Sequence, residues 1–367
     1  MSRPLKVGLV GTGRIANRHM APYLEHPDRV RLTAACDVVE PALRDYAKRA
    51  GIEDVYLDLD EMLQNADIDA VDICTRHDLH APQAIAAAQA GKHVLVEKAM
   101  ANSVQECRDM IDAADKAGVT LMVAQHLRYS RHAAAAKRFI DEGNLGEIEA
   151  VRHQSTSAGN MRDDTGHWMR DAKYAGGGML MVTVVHHLDL LRYFVGNVKR
   201  VTAICRTLKP YRLNGAEDEV TAILEFENGA IGNVFTKGSA PSPEPAYYLV
   251  YGDKGTLAST PPEPTRKRAI TQFGQNRVSL NSAEVLDPHN EDDLKRILQP
   301  KFEPLPADVA DQPSDDYFVN EVLHFEECCR TGREPISSGR DNIETIKLIM
   351  GIYESSRTGK AVDLDTL

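Results

Sequence analysis

The chain has 367 residues, of which 43% are hydrophobic and 26% charged, and its formal net charge is −11. This composition is ordinary for a globular protein that buries a sizeable core, and the length suggests two or three domains. An acidic chain without a basic stripe is a poor candidate for binding nucleic acid or an anionic membrane surface.

The six cysteines form no CxxC pair and no spacing typical of a zinc site, so the sequence predicts reduced thiols and no bound metal. Reduced thiols favour a reducing compartment. The N-terminal segment MSRPLKVGLVGTG lacks the apolar region of a signal peptide, and no apolar run approaches the length of about 18 residues that spans a membrane. We therefore expect a cytoplasmic protein without a membrane span.

Short apolar strands alternate with helix-length amphipathic segments in the first third of the chain. The predicted strands are Lys6–Val10, Val30–Cys36, Ala70–Cys74, His93–Val96 and Thr120–Ala124. The predicted helices lie near Ala16–Leu24, Pro41–Ala50, Leu59–Gln64, Ala81–Ala90 and Val104–Ala117. Alternation of this kind is typical of a doubly wound parallel sheet, so residues 1–125 are predicted to form one α/β domain.

From residue 126 onward the pattern changes to longer strands in which apolar and polar residues alternate. The predicted strands are Ile148–Ser155, Val198–Arg206, Glu217–Phe226, Ala230–Thr236 and Tyr247–Tyr251. The predicted helices are Arg131–Glu142, Met179–Val195, Val319–Arg330 and Ile343–Arg357. Period-2 alternation indicates a mostly antiparallel sheet with one covered face, so residues 126–367 are predicted to form an α+β domain.

Residues 259–313 interrupt this second domain with a stretch that is rich in proline and charge and only weakly periodic. Connections of this length without secondary structure of their own are usually functional. We interpret the excursion as a lid or an oligomer contact.

The segment GTGRIA at residues 11–16 follows a predicted strand and opens a predicted helix. Gly11 permits a tight turn, Gly13 lets the backbone approach a pyrophosphate, and Ala16 allows close packing of helix on strand. Free N–H groups at the helix N-terminus favour the phosphates. The alternative is a tight turn without a ligand. The predicted cofactor contacts in this turn are Gly11, Thr12, Gly13, Arg14 and Ile15.

Asp37 lies at the end of the second predicted strand, 24 positions after Gly13. A carboxylate at this place accepts hydrogen bonds from the ribose hydroxyls of NAD and repels the extra phosphate of NADP. The following residues, Val38-Val39-Glu40, supply no cation for that phosphate. The sequence therefore predicts NAD in preference to NADP, and the alternative is a solvated turn carboxylate.

Several further segments occur in a fixed order along nearly the whole chain. They are CTRHDLHA at 74–81, AGKHVLVEKA at 90–99, VAQHLRY at 123–129, GGG at 176–178, HHLDLLRYFVG at 186–196, VYGDKGTL at 250–257 and TGKAVDL at 358–364. Together with GTGRIA, they resemble the Gfo/Idh/MocA family of oxidoreductases. The resemblance implies a Rossmann domain, a C-terminal domain with an open sheet, a homodimer or homotetramer made through that sheet, and sugar or inositol substrates.

Lys98 follows the fourth predicted strand of the parallel sheet, at the edge where doubly wound folds bind their ligands. A lysine whose pKa is lowered by burial serves as an acid or base, and the resemblance implies that the Glu97-Lys98 pair carries the catalytic lysine. The proline that follows in relatives is Ala99 here. We expect a trans bond before Ala99, because a cis bond costs about 2.5–4 kcal/mol. The alternative is a surface lysine.

His186 lies on the predicted helix Met179–Val195, whose Leu180, Val184, Leu188, Leu191 and Val195 form an apolar stripe. A second stripe carries Val182, His186, Asp189 and Tyr193. The resemblance implies that His186 helps to move the substrate proton. Many relatives place an aspartate at the position of Val182, so we expect Asp189 to orient His186 instead; the alternative is a substrate geometry that differs from that of inositol dehydrogenases. The alternative is a structural histidine.

Other candidates rest on the resemblance. It implies that Thr75, His80, Glu97 and Arg128 contact the cofactor and that Tyr129 and Trp168 lie near the substrate, although Arg128 has the alternative of an interdomain ion pair. Arg76 and His77 replace a Pro–Asn pair of the relatives. The full set of predicted substrate contacts is Lys98, Tyr129, Arg162, Trp168, His186 and Asp189, with His167 and Arg170 as further candidates.

The sequence thus predicts an NAD(H)-dependent dehydrogenase that acts on a hydroxyl of a sugar, a sugar derivative or an inositol. Two alternatives stay open. One is an NAD-dependent glycoside hydrolase that oxidises a ring hydroxyl transiently, and the other is a non-catalytic NAD-binding sensor, which the departures at Ala99 and Val182 make plausible.

Overall fold

The computed structural model describes residues 3–156, 167–238, 247–260, 277–282, 303–304 and 312–367. Most of the 259–313 excursion, and with it the interpretation as a lid or an oligomer contact, lies outside these residues. The described part of the excursion pairs with the second sheet as strands 277–282 and 303–304.

Within the fully described stretch 3–156, six strands form a parallel sheet in the order β3-β2-β1-β4-β5-β6. These strands are β1 Leu5–Val10, β2 Val30–Cys36, β3 Asp54–Tyr56, β4 Ala70–Ile73, β5 His93–Glu97 and β6 Leu121–Ala124. The connecting helices are α1 Ala16–Glu25, α2 Glu40–Ala50, α3 Leu59–Asn65, α4 His77–Gln89 and α5 Val104–Ala117. The predicted doubly wound sheet is confirmed. Only the short edge strand β3 was not predicted, because its three residues are exposed or half-buried.

Among the described residues from Ile148 onward, nine strands form a mixed, mostly antiparallel sheet in the order β14-β13-β12-β11-β7-β10-β9-β8-β15. Strand β10 pairs with β7 in parallel. The strands are β7 Ile148–Thr156, β8 Val198–Arg206, β9 Glu219–Phe226, β10 Ile231–Lys237, β11 Tyr247–Gly252, β12 Gly255–Thr260, β13 Arg277–Ser282, β14 Glu303–Pro304 and β15 Val362–Asp363. The predicted α+β class is confirmed, and alternate residues of β9 and β10 are buried, as the period of two requires.

The helices that follow the first sheet along the chain pack against both sheets. They are α6 Arg131–Asp141, α7 Ala172–Ala175, α8 Val185–Val195, α9 Tyr317–Thr331 and α10 Gly339–Thr358. Helix α9 returns to the first sheet, where Val319, Val322 and Phe325 join the core around Leu9 and Tyr46. The two halves of the sequence are therefore interlocked by a C-terminal helix that covers the N-terminal domain.

The predicted helix Met179–Val195 is divided in the structure. Leu180–Val184 is a π-helical turn, and the α-helix α8 follows it. The buried Glu217 carboxylate accepts hydrogen bonds from the backbone N–H groups of Gly178 (2.6 Å) and Leu180 (2.7 Å). A Cβ at Gly178 would lie 2.0 Å from the carbonyl oxygen of Glu217, so this approach requires glycine.

One helical run among the described residues, Ala172–Val195, is long and apolar enough to cross a membrane, with a mean hydropathy of 1.2 over its best window. However, 83% of that window is buried inside the fold. The core helix of a globular protein has the same length and composition, and this run packs under the second sheet.

Candidate active site

The turn between β1 and α1 has the geometry of a phosphate-binding loop. Gly11 has φ +88°, and a Cβ there would lie 2.8 Å from Cγ2 of Thr75. At Gly13, by contrast, no heavy atom of the described chain lies within 4 Å of the Cβ position. Gly11 is therefore needed for the turn itself, while Gly13 leaves open space beside the backbone. This arrangement at the N-terminus of α1 fits a dinucleotide pyrophosphate.

The carboxylate of Asp37 is fixed beside this turn. Its Oδ2 accepts hydrogen bonds from the backbone N–H of Thr12 at 2.6 Å and from the Thr12 hydroxyl at 2.9 Å. Its Oδ1 accepts from the N–H of Val39 at 2.8 Å. Asp37 is half-buried, and the next residue, Val38, is exposed. The carboxylate thus has a set orientation at the edge where the adenosine ribose of NAD binds in such folds.

Lys98 directly follows β5, at the carboxyl edge of the first sheet. Its Nζ donates a hydrogen bond to the carbonyl oxygen of Val182 at 2.9 Å, so it reaches the π-helical turn of the second domain. Burial lowers the pKa of Lys98, the adjacent Glu97 carboxylate opposes this effect, and the Arg14 cation adds to it. A lysine with a lowered pKa, held across the cleft between the domains, is suited to proton transfer.

The peptide bond between Lys98 and Ala99 is cis, so the expectation of a trans bond is wrong. Ala99 is fully buried, and its carbonyl oxygen lies 2.7 Å from Nδ1 of His80. The packing of this segment against α4 decides its conformation, whereas the expectation considered only the local preference of the peptide.

His186 lies one helical turn after Val182, and its Nδ1 is 3.0 Å from Oε1 of Gln125. The Gln125 amide is oriented in turn by its Nε2, which donates to Oδ1 of Asn342 at 3.0 Å. Burial lowers the pKa of His186 well below its usual value, and the nearby His126 and Lys98 act in the same direction. A neutral ring that donates from Nδ1 to Gln125 leaves the lone pair of Nε2 free to accept a proton.

The structure corrects the predicted role of Asp189. Its carboxylate accepts hydrogen bonds from Nε (2.6 Å) and Nη2 (2.7 Å) of Arg128, and it is 1% exposed. It is therefore committed to a buried ion pair and neither orients His186 nor faces a substrate. Asp189 does follow His186 by three residues along the helix. However, the Arg128 guanidinium on the neighbouring segment is the stronger partner and determines where the carboxylate points.

Arg128 and Tyr129 are also corrected. The Arg128 guanidinium is 2% exposed, and besides Asp189 it contacts the carboxylate of Asp341 at 2.6 Å and the carbonyl oxygen of Ile336 at 2.5 Å. It forms the ion-pair alternative and does not face the cofactor. Tyr129 is 1% exposed, and its hydroxyl is 2.8 Å from Oγ of Ser337. Both side chains connect the segment after β6 to the region around α10.

The side chains of Glu97 and His80 are buried and hydrogen-bonded within the protein. Glu97 is 3% exposed, with Oε1 at 3.1 Å from Nε2 of His19 and Oε2 accepting from the backbone N–H of Lys98 at 3.1 Å. His80 is fully buried between the carbonyl oxygens of Ala99 and Thr75. Their contacts with the cofactor therefore stay a prediction. Half-buried Thr75 lies against Gly11 at the turn.

Trp168 is half-buried and makes an edge contact with the ring of His77, at 4.9 Å between centroids. His77 is 2.9 Å from the carbonyl oxygen of Ala175 through Nδ1, so the two domains meet here. Of the further candidates, His167 is exposed and Arg170 is buried against the ring of Tyr211. The predicted contact Arg162 lies outside the described residues.

Sequence reasoning missed Gln125, Asn342, His126 and His19. Gln125 and His126 lie inside the VAQHLRY segment, of which only Arg128 and Tyr129 were given roles, and His19 lies three residues after Ala16 of the GTGRIA turn. Proximity to recognised motifs was a signal for these three. Asn342 lies more than 200 residues away and gave none.

Among the described residues, one group of possible metal ligands has its ligand atoms within 4.8 Å of one another. It consists of His19, Asp72 and Cys74. These atoms are already hydrogen-bonded to one another. We therefore describe the group as a buried polar cluster, and the absence of a metal stays a prediction.

Comparison with known proteins agrees with this geometry. A family model described as "Oxidoreductase family, NAD-binding Rossmann fold" matches residues 5–125, and a model described as "GFO/IDH/MocA C-terminal domain" matches residues 133–258. The chain therefore belongs to the Gfo/Idh/MocA family of oxidoreductases. Its N-terminal domain is an NAD-binding Rossmann domain, and the protein is an enzyme of the oxidoreductase class.

Individual relatives share this class. The chain is 28% identical to D-apiose dehydrogenase of Paraburkholderia graminis, over 99% of this chain and 90% of that protein. It is 31% identical to levoglucosan dehydrogenase of Pseudarthrobacter phenanthrenivorans, over 69% of this chain and 73% of that protein. The crystal structure of the WlbA dehydrogenase of Bordetella pertussis with NADH and UDP-GlcNAcA has a TM-score of 0.82 and 28% identity, and covers 99% and 98% of the two chains.

Proposed function

We propose that this protein is an NAD(H)-dependent dehydrogenase that oxidises a secondary hydroxyl of a sugar, a sugar derivative or an inositol, or reduces the matching ketone. The observation that carries the proposal is that Lys98 of the first domain bonds to the carbonyl oxygen of Val182 at 2.9 Å, one turn before His186. An acid–base lysine and a neutral histidine thus meet at the edge of the dinucleotide-binding sheet. The names of the relatives, which include dehydrogenases of D-apiose and levoglucosan, support this substrate class.

Oxidation of an alcohol removes a proton from the hydroxyl and a hydride from the carbon, and NAD, when bound, supplies the hydride acceptor. Nζ of neutral Lys98 accepts the hydroxyl proton, and in the reverse direction its ammonium donates one. Because burial lowers the pKa of Lys98, more of it is neutral near neutral pH. In the oxidation direction, kcat/KM should therefore rise with pH through this lowered pKa, and in the reduction direction it should fall.

His186 is proposed to hold the reacting hydroxyl. Its Nδ1 donates to Gln125, so Nε2 is an acceptor for the hydroxyl or a second site for its proton. The amide of Gln125 fixes the tautomer and ring orientation in the way that a carboxylate does elsewhere. An amide leaves the ring less basic than a carboxylate would, which makes Lys98 the stronger base of the two.

Trp168 and Arg162 are the remaining proposed substrate contacts. An indole face can stack on the apolar C–H face of a sugar ring, and half-buried Trp168 lies beside His77 at the domain junction. The buried positions of Tyr129 and Asp189 remove these two side chains from the proposed set.

The test is a panel of sugars, inositols and glycosides assayed with NAD and with NADP by absorbance of the reduced nicotinamide. Net formation of NADH with at least one free polyol is the expected result. Cleavage of a glycoside without net NADH would instead favour the hydrolase, and tight NAD binding without any turnover would favour the sensor. Either of these two results overturns the proposal.

A homo-oligomer formed through the second sheet is part of the proposal. The outer face of this sheet exposes Ile204, Ile223 and Ile231 to 61%, 57% and 60%. Exposed apolar residues on neighbouring strands mark an interaction surface, and the resemblance to the family points to a second copy as the partner. Analytical ultracentrifugation should show a dimer or tetramer that Ile223→Lys dissociates, and a monomeric wild-type protein would contradict it.

A further inference from the structure

His19 lies in the first turn of α1, fully buried between two carboxylates. Its Nδ1 is 2.9 Å from Oδ2 of Asp72, and its Nε2 is 3.1 Å from Oε1 of Glu97. An ionised carboxylate only accepts hydrogen bonds, and a neutral imidazole carries a single N–H. When both carboxylates are ionised, a ring that faces them with its two nitrogens donates from both, which makes it an imidazolium.

The surroundings of His19 agree with this charge. Burial alone would lower the pKa of His19, but the neighbouring Asp72, together with Cys74, raises it well above its usual value. Burial likewise opposes the ionisation of Glu97, but the hydrogen bond and the charge of His19 lower the pKa of Glu97 to about 2. A cation and an anion thus stabilise each other in a buried site.

Groups from every neighbouring element face the cluster. The Tyr23 hydroxyl donates to Asp72 at 2.8 Å, and the Cys74 thiol donates to it at 3.6 Å. The Phe318 ring of α9 lies 5.4 Å from the His19 ring. Tyr46 of α2 and His126 also face the cluster, and Tyr46 does so as an uncharged phenol because burial raises its pKa. On α9, Glu321 is fully buried; burial raises its pKa well above the usual value, and the charge of His19 opposes this effect.

The cluster connects the cofactor turn to Lys98. His19 lies on the helix whose N-terminus faces the phosphates, and its partner Glu97 accepts a hydrogen bond from the main-chain N–H of Lys98 at 3.1 Å. The Glu97 charge also opposes the effect of burial on the Lys98 ammonium. Both the direction of the Lys98 main chain and the charge beside its ammonium therefore depend on an ionised Glu97.

We propose that His19 is a positioning residue for proton transfer at Lys98: its imidazolium keeps Glu97 ionised and in place, and Glu97 fixes the main chain and the local charge of Lys98. This inference rests on the proposed function, in which Lys98 is the acid–base group.

The first test needs no substrate. In protein labelled with ¹⁵N-histidine, the His19 ring is assigned as the imidazole signal that His19→Gln removes. We expect the chemical shifts of a doubly protonated ring across neutral pH. A neutral ring near pH 7 would overturn the inference even if the enzyme turns over polyols. Failure of every polyol in the assay would overturn the proposed function and leave this measurement valid.

The second test compares two substitutions of His19, each of which keeps one of its two hydrogen-bond donors. The amide of His19→Asn can replace the donor to Asp72, whereas that of His19→Gln can reach Glu97. His19→Asn should lower kcat on the order of 10–100-fold, the factor that corresponds to a lost hydrogen bond to a charged group, with little change in KM. It should also move the rising limb of the oxidation profile to lower pH, because a neutral Glu97 no longer stabilises the Lys98 ammonium. His19→Gln should show smaller changes of both kinds.

Tyr46→Phe is the matched control. It removes a buried hydroxyl that donates at 3.1 Å to the carbonyl oxygen of Ala16, a residue of α1 like His19. This variant should lower Tm without shifting the rising limb of the pH profile of oxidation. If the His19 variants lower only Tm and keep the wild-type pH profile, His19 is merely structural. If Tyr46→Phe moves the limb as far as His19→Asn does, the shift reflects a loosened helix, and the inference fails.

Discussion

The two ends of the proposed cofactor cleft are built in different ways. The phosphate end comes from contiguous residues 11–16 with Asp37, which bonds to Thr12 within the same sheet edge. The nicotinamide end combines Lys98, Gln125, Val182, His186 and Asn342, which come from both domains. Disturbing the first end should therefore change cofactor binding alone, whereas the second end depends on how the domains pack. The four substitutions below test this division.

Lys98→Ala should have the largest effect. Loss of an acid–base group lowers kcat by about 10²–10⁴-fold, while the affinity for NAD, measured by fluorescence titration, should stay nearly unchanged. The matched control is Lys92→Ala, because the Lys92 ammonium also donates to a main-chain carbonyl, that of Ile68 at 2.8 Å, but outside the cleft. Wild-type turnover in Lys98→Ala would remove Lys98 from the mechanism.

Arg128→Met should mainly lower the free energy of unfolding. This result would show that Arg128 holds the nicotinamide end in place and takes no part in proton transfer. It leaves the carboxylate of Asp189 buried without its cation, and breaking a buried pair in this way costs roughly 3–5 kcal/mol. Urea unfolding measures this loss. Arg340→Met is the control, because its pair with Asp115 is exposed and should contribute less than about 1 kcal/mol. Equal losses in the two variants would contradict the assigned role of Arg128.

Asp37→Ala tests the phosphate end. Removing hydrogen bonds to a charged group costs about 1.5–3 kcal/mol, so the affinity for NAD should fall about 10–100-fold while kcat at saturating NAD is kept. Discrimination against NADP should weaken because the repelling carboxylate is gone. If the wild-type enzyme already used both cofactors equally, Asp37 would not be the selective group.

Gln125→Leu should have the smallest effect, a fall of about tenfold in kcat, because one hydrogen bond that orients His186 is lost. His186→Ala should cost more, since it removes the ring itself. The double variant should be no slower than His186→Ala alone, because Gln125 acts only through His186. Additive losses would show that Gln125 contacts the substrate independently.

Much of the fold was accessible from local patterns. The strands of the first sheet and the GTGRIA turn were predicted, because buried parallel strands and glycine-dependent turns leave a short-range mark on the sequence. The alternation in β9 and β10 likewise indicated one covered face. The short β3 and the π-helical turn Leu180–Val184 escaped prediction. The first has few buried residues, and the second depends on Glu217, which is distant in sequence.

By itself, the sequence determined the class of the enzyme and the glycine-rich turn of its NAD-binding domain, and it predicted Lys98 as the acid–base side chain. Only the tertiary structure decided which partners the polar residues take. Asp189 pairs with Arg128, Gln125 orients His186, and the bond before Ala99 is cis. The physical reason is that a buried charge or amide has to be hydrogen-bonded, and it pairs with a complementary group that lies within hydrogen-bond distance. That reach is set by the packing of segments that are far apart along the chain.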